Sequence, residues 1–384
     1  MRDRADQPDS EEPAGSLDAG LAAAYGGGGP HTGRSVLEAI RAITGQAPGI
    51  LLQDEAADAS VAVRGPEPPP VPRGRGTYHV LGEIAQGGMG RILKSHDADL
   101  GRDVAMKVLH GELTRRPEVL LRFVEEAQIG GQLQHPGIVP VYDLGLLADE
   151  RPYFTMKLVK GRTLAALLSE RPSPEADLRR LLTVFESVCQ TVAYAHSRGV
   201  IHRDLKPANV MVGAFGEVQV VDWGLAKILR SGGTADEARA RRDRTRESAI
   251  ATVRTGTPGA GSNSVAGSVM GTPAYMPPEQ ARGETERMDE RADVFALGAV
   301  LCEILTGAPP YTGESTRTVL EAANAALDGA LARLDRCRAD LELVALAREC
   351  LAPAPHERPR TAAVVAERVQ AYLTSVEDLS LIHI

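Results

Sequence analysis

Apolar positions along this chain follow two periods, one suited to strands and one to helices, and the change between them falls near residue 160. From Tyr78 onward the runs 78–84, 91–95 and 103–109 read as strands. A helical pattern covers about 116–133, and strand-like runs return at 138–146 and 153–159. Beyond residue 163 the 3.6-residue period dominates, over 178–197, 292–305, 341–350 and 362–373. Only 210–212 and 218–221 interrupt it as short strands. A β-rich part followed by a helical part predicts two lobes.

Two stretches carry no such period. The first 76 residues hold 12 Gly and 9 Pro, a composition that cannot bury enough apolar surface to offset chain entropy, so a disordered arm is expected. Within it Ser35 and Glu38 fit a capping box, with Leu37, Ile40 and Ile43 at helical spacing. A short helix over 35–45 is expected there, forming transiently and without a partner, with a docking helix as the alternative. Residues 231–267, rich in Gly, Ser, Thr and Arg, read as a long loop inside an otherwise compact region.

Composition narrows the class. Hydrophobic residues make up 43% and charged residues 24%, which excludes wholesale disorder and fibrous structure. Aromatics are only 4%, so the core must rest on aliphatic side chains. The net charge of −8 argues against a nucleic-acid partner, which would need a positive field. Lysine occurs only at Lys94, Lys107, Lys157, Lys160, Lys206 and Lys227. Cys189, Cys302, Cys337 and Cys350 lie far apart, which suits buried reduced thiols better than a disulfide scaffold or a zinc site. No signal peptide opens the chain, and the longest apolar run, 294–305, is too short to span a bilayer and contains Glu303.

Candidate chemistry gathers in a fixed order. The stretch Ile84-Ala85-Gln86-Gly87-Gly88-Met89-Gly90-Arg91-Ile92 lies between two strand patterns, where small residues let backbone N–H groups approach phosphate oxygens; a plain hairpin turn is the other reading of the same glycines. A dinucleotide-binding turn would need a helix straight after the glycines, and a strand pattern follows instead. Lys107 ends the apolar strand segment Val104-Ala105-Met106. An ammonium there can bridge phosphates if a helix carboxylate such as Glu126 holds it; a strand-end lysine with its amine in water is the plainer reading. Then come His202-Arg203-Asp204-Leu205-Lys206-Pro207-Ala208-Asn209, Asp222-Trp223-Gly224, Gly271-Thr272-Pro273-Ala274-Tyr275-Met276-Pro277-Pro278-Glu279 and Asp293-Val294-Phe295-Ala296-Leu297-Gly298.

In this order the motifs resemble those of a protein kinase, over nearly the whole stretch from Tyr78 to Leu373. Lys206 two residues after Asp204 is the serine/threonine pattern. The wording of 87–90, His135-Pro136-Gly137-Ile138-Val139 and 275–281 resembles the bacterial branch of eukaryotic-type Ser/Thr kinases. The stretches 154–161 and 222–227 look most like planctomycete members.

The resemblance implies an α+β, bilobal kinase-like fold. Its N-lobe (77–160) would be a small antiparallel sheet with one major helix, and its C-lobe (161–374) mainly helical. ATP and Mg²⁺ are the implied cofactors, and protein Ser/Thr hydroxyls the implied substrates. Lys107 would hold phosphates and Glu126 would hold Lys107; Asn209 and Asp222 would bind the metal; Asp204 would take the substrate proton and Lys206 would neutralise the transferring phosphate. Ile84, Ala85, Gly87, Gly88, Gly90 and Ile92 would cover the nucleotide. Ala105, Met156, Lys157 and Val159 would line the adenine pocket. Thr272 would help bind the substrate residue, and Glu279 would pair with Arg358.

Three positions depart from the pattern: Ala85 in place of a glycine, Trp223 in place of Phe and Pro277 in place of Ala. None removes a group that touches phosphate or metal. A nucleotide-binding pseudokinase scaffold and a small-molecule kinase are the alternatives weighed. Retention of the catalytic set disfavours the first, and the 271–279 platform disfavours the second.

Arg203 beside Asp204 implies control by activation-loop phosphorylation. Ser262, Ser264 or Ser268 is the expected autophosphorylation site, with self-association as the accompanying expectation. The chain ends Leu379-Ser380-Leu381-Ile382-His383-Ile384, which looks like a translated sequencing adapter, so 379–384 is expected to be a non-native tail, with a natural apolar C-terminus as the alternative. This fragment is then expected to be cytoplasmic, and the full-length protein anchored to a membrane through a later helix.

Overall fold

A computed structural model describes residues 36–46, 78–229, 271–313 and 315–382. The first lobe runs α1 (Val36–Thr44), β1 (Tyr78–Gln86), β2 (Gly90–Asp97), β3 (Arg102–Leu109), α2 (Pro117–Gln132), β4 (Val141–Leu146) and β5 (Pro152–Lys157). The five strands form one antiparallel sheet in the order β1-β2-β3-β5-β4. Two register shifts bulge β1, one between Glu83 and Ala85, where Ile84 is the extra residue. Strand β4 starts later than the pattern at 138–146 suggests. Ile138 instead makes a lone parallel bridge to Val220, while the Pro140 carbonyl accepts from the Lys157 N–H at 3.1 Å.

The second lobe runs β6 (Gly161–Thr163), α3 (Leu164–Glu170), α4 (Leu178–Ser197), β7 (Val200–Ile201), β8 (Val210–Gly213), β9 (Val218–Val220), β10 (Lys227–Ile228), α5 (Pro278–Ala281), α6 (Arg291–Thr306), α7 (Ser315–Ala323), α8 (Asp328–Arg336), α9 (Leu341–Cys350) and α10 (Ala362–Ile382). Helix α6 is apolar nearly all round, the signature of a helix that crosses a core. It is packed by α4, α8, α9 and α10 and stops at Gly307 in the left-handed conformation. Helices α3, α5, α7 and α8, of four to nine residues, are additions to the helices that the periodicity predicts. Helix α10 runs nine residues past the expected end at 373, into the segment beginning at Leu379.

The helix of the N-terminal arm corrects one expectation. It is not without a partner: Val36 and Ile40 are buried against Leu121 and Val124 of α2, with Leu144 and Leu146 of β4 beside them. Nine residues make a marginal helix in water. Burying two aliphatic side chains contributes about 1.5–3 kcal/mol each, which is enough to reverse that balance. The capping residue Ser35 and the side chain of Glu38 lie outside the described residues. Of the four thiols, Cys189, Cys302 and Cys350 are buried and Cys337 is half-buried. Burial pushes the Cys350 thiol up to about 12, where it is inert.

One buried ion pair ties the helical lobe together. Arg358 Nη1 and Nη2 donate to Glu279 Oε1 and Oε2 at 2.7 and 2.9 Å. The remaining guanidinium N–H groups serve the carbonyls of Ala352, Arg291 and Pro353. Glu279→Ala is expected to lower stability by about 3–5 kcal/mol, because it leaves Arg358 buried and unpaired. Urea unfolding of the two proteins, side by side, measures the loss.

Candidate active site

Pairing register sets up one wall of the cleft. Ala85 faces Ile92, Ile92 faces Lys107, and Lys107 faces Phe154; one step along, Ala105 faces Met156. Side chains directly opposite one another share a face, so Ala85, Ile92, Ala105, Lys107 and Met156 line the same side of the sheet. Ile84, Ala85, Gly87 and Gly88 are exposed along its lip. Gly90 is required there, since a Cβ would meet the Val108 carbonyl oxygen at 2.2 Å. The turn is closed by the Gly87 N–H donating to the Gly90 carbonyl at 2.9 Å. At the other end, β5 stops at Lys157, whose N–H is committed to Pro140, and Leu158 and Val159 continue outside the ladder.

Lys107 Nζ donates to Glu126 Oε1 at 2.5 Å and stands 3.8 Å from Asp222 Oδ1. Glu126 is buried, and its Oε2 has no hydrogen-bond partner among the described residues. Gly224 permits this approach: a Cβ there would stand 3.0 Å from Glu126 Oε2 and 3.2 Å from Asp222 Oδ1. Asp222 itself holds a positive φ of 63°, and its carboxyl is half exposed. Trp223 is buried beside it, stacks at a tilt on His202 with ring centroids 4.6 Å apart, and donates from Nε1 to the Val220 carbonyl. The indole thus keeps the bulk of the more common Phe and adds a hydrogen bond.

Below this, Asp204 is the centre of a close group. Lys206 Nζ donates to Asp204 Oδ2 at 2.8 Å and to Thr272 Oγ1 at 2.6 Å. Thr272 donates to Asp204 Oδ1 from both its N–H and its hydroxyl, each at 2.9 Å. Asn209 Nδ2 donates to the Asp204 carbonyl at 2.9 Å and Oδ2 at 3.3 Å.

The preceding turn is strained, with Arg203 at φ 68°, and it is held by a buried carboxylate on α6. Asp293 accepts from the His202 N–H at 2.7 Å, the Arg203 N–H at 2.9 Å and His196 Nε2 at 2.8 Å. Burial alone would raise this carboxyl. The His196 hydrogen bond and charge, with His202 and the Arg203 N–H, outweigh burial and hold it below the ordinary aspartate value of 3.8.

Residues 78–369 match the protein kinase domain family. The chain belongs to that family. It is 38% identical over 291 residues to the serine/threonine-protein kinase PknB of Mycobacterium tuberculosis, covering 74% of this chain and 41% of the relative. Similarity extends to PknB of Mycolicibacterium smegmatis, 40% identical over 61% of this chain and 33% of that protein. PknD of Protochlamydia amoebophila is 34% identical over 61% of this chain and 23% of its own length. The chain therefore spans less than half the length of these relatives.

The kinase domain is of the bacterial serine/threonine branch, and such domains use ATP with a divalent metal. Its fold is the bilobal one, a small antiparallel sheet over a helical lobe. Among the described residues no helix is long and apolar enough to cross a membrane.

The structure brings Lys107, Glu126 and Asp222 together, and separately Asp204, Lys206, Asn209 and Thr272. Ser262, Ser264 and Ser268 lie outside the described residues. Several supporting groups had no assigned role in the motif reading. His202 orients the turn through its contacts with Trp223, the Val221 carbonyl and the Asp204 N–H. Gln280 Nε2 donates to the Arg203 carbonyl at 2.8 Å. His110 bonds the glycine turn twice, from its N–H to the Met89 carbonyl and from Nε2 to the Gly87 carbonyl. His202 was legible in principle, as a His beside Arg203-Asp204; Gln280 and His110 carried no signal of spacing.

Since the carboxyl of Asp293 lies below its ordinary value, the stability it contributes is complete above about pH 4 and is lost as pH falls through the folded value. The stability gap between the wild type and Asp293→Asn should therefore be wide at pH 6 and shrink progressively as pH falls below about 4. Denaturant titrations across that range measure it; a gap constant with pH would refute the assignment.

Proposed function

We propose that this kinase domain transfers the γ-phosphoryl group of ATP to serine and threonine hydroxyls of proteins. The observation that carries the reading is the convergence of Asp204, Lys206 and Thr272 on one point, with the Lys107–Glu126 pair already formed. Phosphoryl transfer needs little covalent help from the protein; it needs positioning and charge neutralisation. Asp204 orients the acceptor hydroxyl and takes its proton as the oxygen–phosphorus bond forms and the bond from the γ-phosphorus to ADP breaks. Lys206 neutralises charge on the transferring group. Thr272 helps seat the substrate residue while bridging Lys206 and Asp204.

Lys107, held by Glu126, binds the α- and β-phosphates. The glycine turn from Ile84 to Ile92 covers them, and Ala105 and Met156 bound the adenine site. The Lys157 N–H is taken, so Val159 supplies the backbone donor to adenine and Lys157 the carbonyl acceptor.

The donor set fits Mg²⁺. Asn209 commits its amide nitrogen to Asp204, which leaves its amide oxygen for a cation, and Asp222 offers a half-exposed carboxylate. These are hard oxygen ligands. When bound, Mg²⁺ would neutralise phosphate charge and fix the triphosphate. The backbone on either side of the pair is tied, because the Val221 N–H donates to the Asn209 carbonyl at 2.9 Å.

We further read Arg203 as the receiver of an activation-loop phosphate on Ser262, Ser264 or Ser268, placed by autophosphorylation between self-associated copies. Its Nε donates to the Leu225 carbonyl at 2.6 Å, at the root of that segment.

Asp204→Asn should reduce ATP-dependent phosphate incorporation by about 10²–10⁴, the usual worth of a general base. Equal incorporation by both proteins would end the active-kinase reading in favour of a nucleotide-binding scaffold. Mass spectrometry after incubation with Mg-ATP should find phosphate within 231–270; a fully active preparation bearing none there would remove the autophosphorylation step.

A further inference from the structure

Helix α2 buries two different apolar faces. Leu120, Phe123 and Ala127 pack on the sheet with Leu109 and Phe154. Leu121 and Val124, three residues apart and so on one stripe, point away from that cluster and meet α1 instead. Val124 is fully buried and Leu121 is 6% exposed. The part of the chain that matches the kinase family begins at residue 78, yet the cover on this stripe comes from residues 36 and 40. Helix α1 is therefore seated on the domain from outside the stretch that matches the family.

We propose that α1 is a positioning element for the Lys107–Glu126 pair. Glu126 lies two residues beyond Val124 on the same helix, and its bond to Lys107 spans 2.5 Å between a helix and a strand. Among the described residues Lys107 is the one hydrogen-bond partner of the Glu126 carboxyl, since Oε2 is buried without one. The pair therefore depends on where α2 sits as a body. Val36 and Ile40 fix that seat from behind, so displacing α1 lets α2 move outward and takes Glu126 from Lys107. The inference rests on the proposed kinase activity. Val36 and Ile40 touch neither nucleotide nor substrate; they act through α2.

The test uses the full chain. Val36→Asp/Ile40→Asp breaks the seat. Ile40→Leu preserves it. Ile43→Asp changes α1 at a residue that is 59% exposed, away from the seat. Two readouts are followed: ATP-dependent phosphorylation of dephosphorylated casein, and amide hydrogen exchange over residues 117–132.

The double variant should lose roughly 10–100-fold in kcat with little change in the KM for casein, as expected when a catalytic group is misplaced by about an ångström. Exchange across α2 should quicken about tenfold. Ile40→Leu and Ile43→Asp should stay within about twofold of the wild type in both readouts. A synthetic peptide of residues 34–46, added at high concentration, should restore activity to the double variant, which a merely misfolded domain would not permit.

A double variant that matches the wild type, or that loses activity with α2 exchange unchanged, overturns the proposal. If the wild type itself transfers no phosphate, the proposed function falls, and the exchange comparison still decides whether α1 holds α2.

Discussion

The catalytic geometry of this domain hangs on the carboxylate of Asp293. It sits in the first turn of a helix buried on all sides, where the positive end of the helix dipole favours an anion. From there it accepts the N–H groups of His202 and Arg203 and one ring nitrogen of His196. Those bonds stabilise a left-handed turn at Arg203 that the chain would not adopt unaided, at a cost of order 1–3 kcal/mol. The residue after the turn is Asp204. A buried charge in the core of the helical lobe thus sets the position of a carboxylate in the cleft.

The upper half of the site is built on the opposite plan. There the important pair, Lys107 and Glu126, joins a strand to a helix across a gap that backbone hydrogen bonds do not bridge. Rigid strand pairing fixes Lys107 through its neighbours Ile92 and Phe154. Glu126 has no such guarantee; its place follows from how α2 packs, and one face of α2 is covered by a helix from the N-terminal arm. The two halves of the cleft therefore differ in what holds them: a short-range polar clamp below, side-chain packing above. Packing can be displaced without unfolding the domain, whereas removal of the clamp leaves buried polar groups unsatisfied.

Much of this was legible in the residues. Lys107 at the end of an apolar strand, the ordered run from His202 to Asn209, and Asp222-Trp223-Gly224 pointed to phosphate and metal chemistry before any coordinates. The reason is that these motifs are local: three to eight neighbouring residues must adopt one backbone path to do the chemistry, so they leave a spacing in the sequence. Other members of the site left none. The side chains of His110 and Gln280 reach backbone carbonyls 23 and 77 residues distant, and nothing near them in sequence records that partner.

The arm helix shows the same division most clearly. Its amphipathic spacing was visible, and so was the Gly- and Pro-rich composition around it. Composition averages over a segment and argued for a helix with no partner. What decided otherwise was the bare stripe of Leu121 and Val124 on a helix some eighty residues later, a surface that exists only once α2 has packed its other face on the sheet. Sequence by itself determined the two lobes and the order of the motifs, and it named the candidate reacting groups, because each depends on local periodicity or on the chemistry of a short run. Tertiary structure alone decided which distant surfaces meet, because burial is a property of pairs of faces and no single segment carries both.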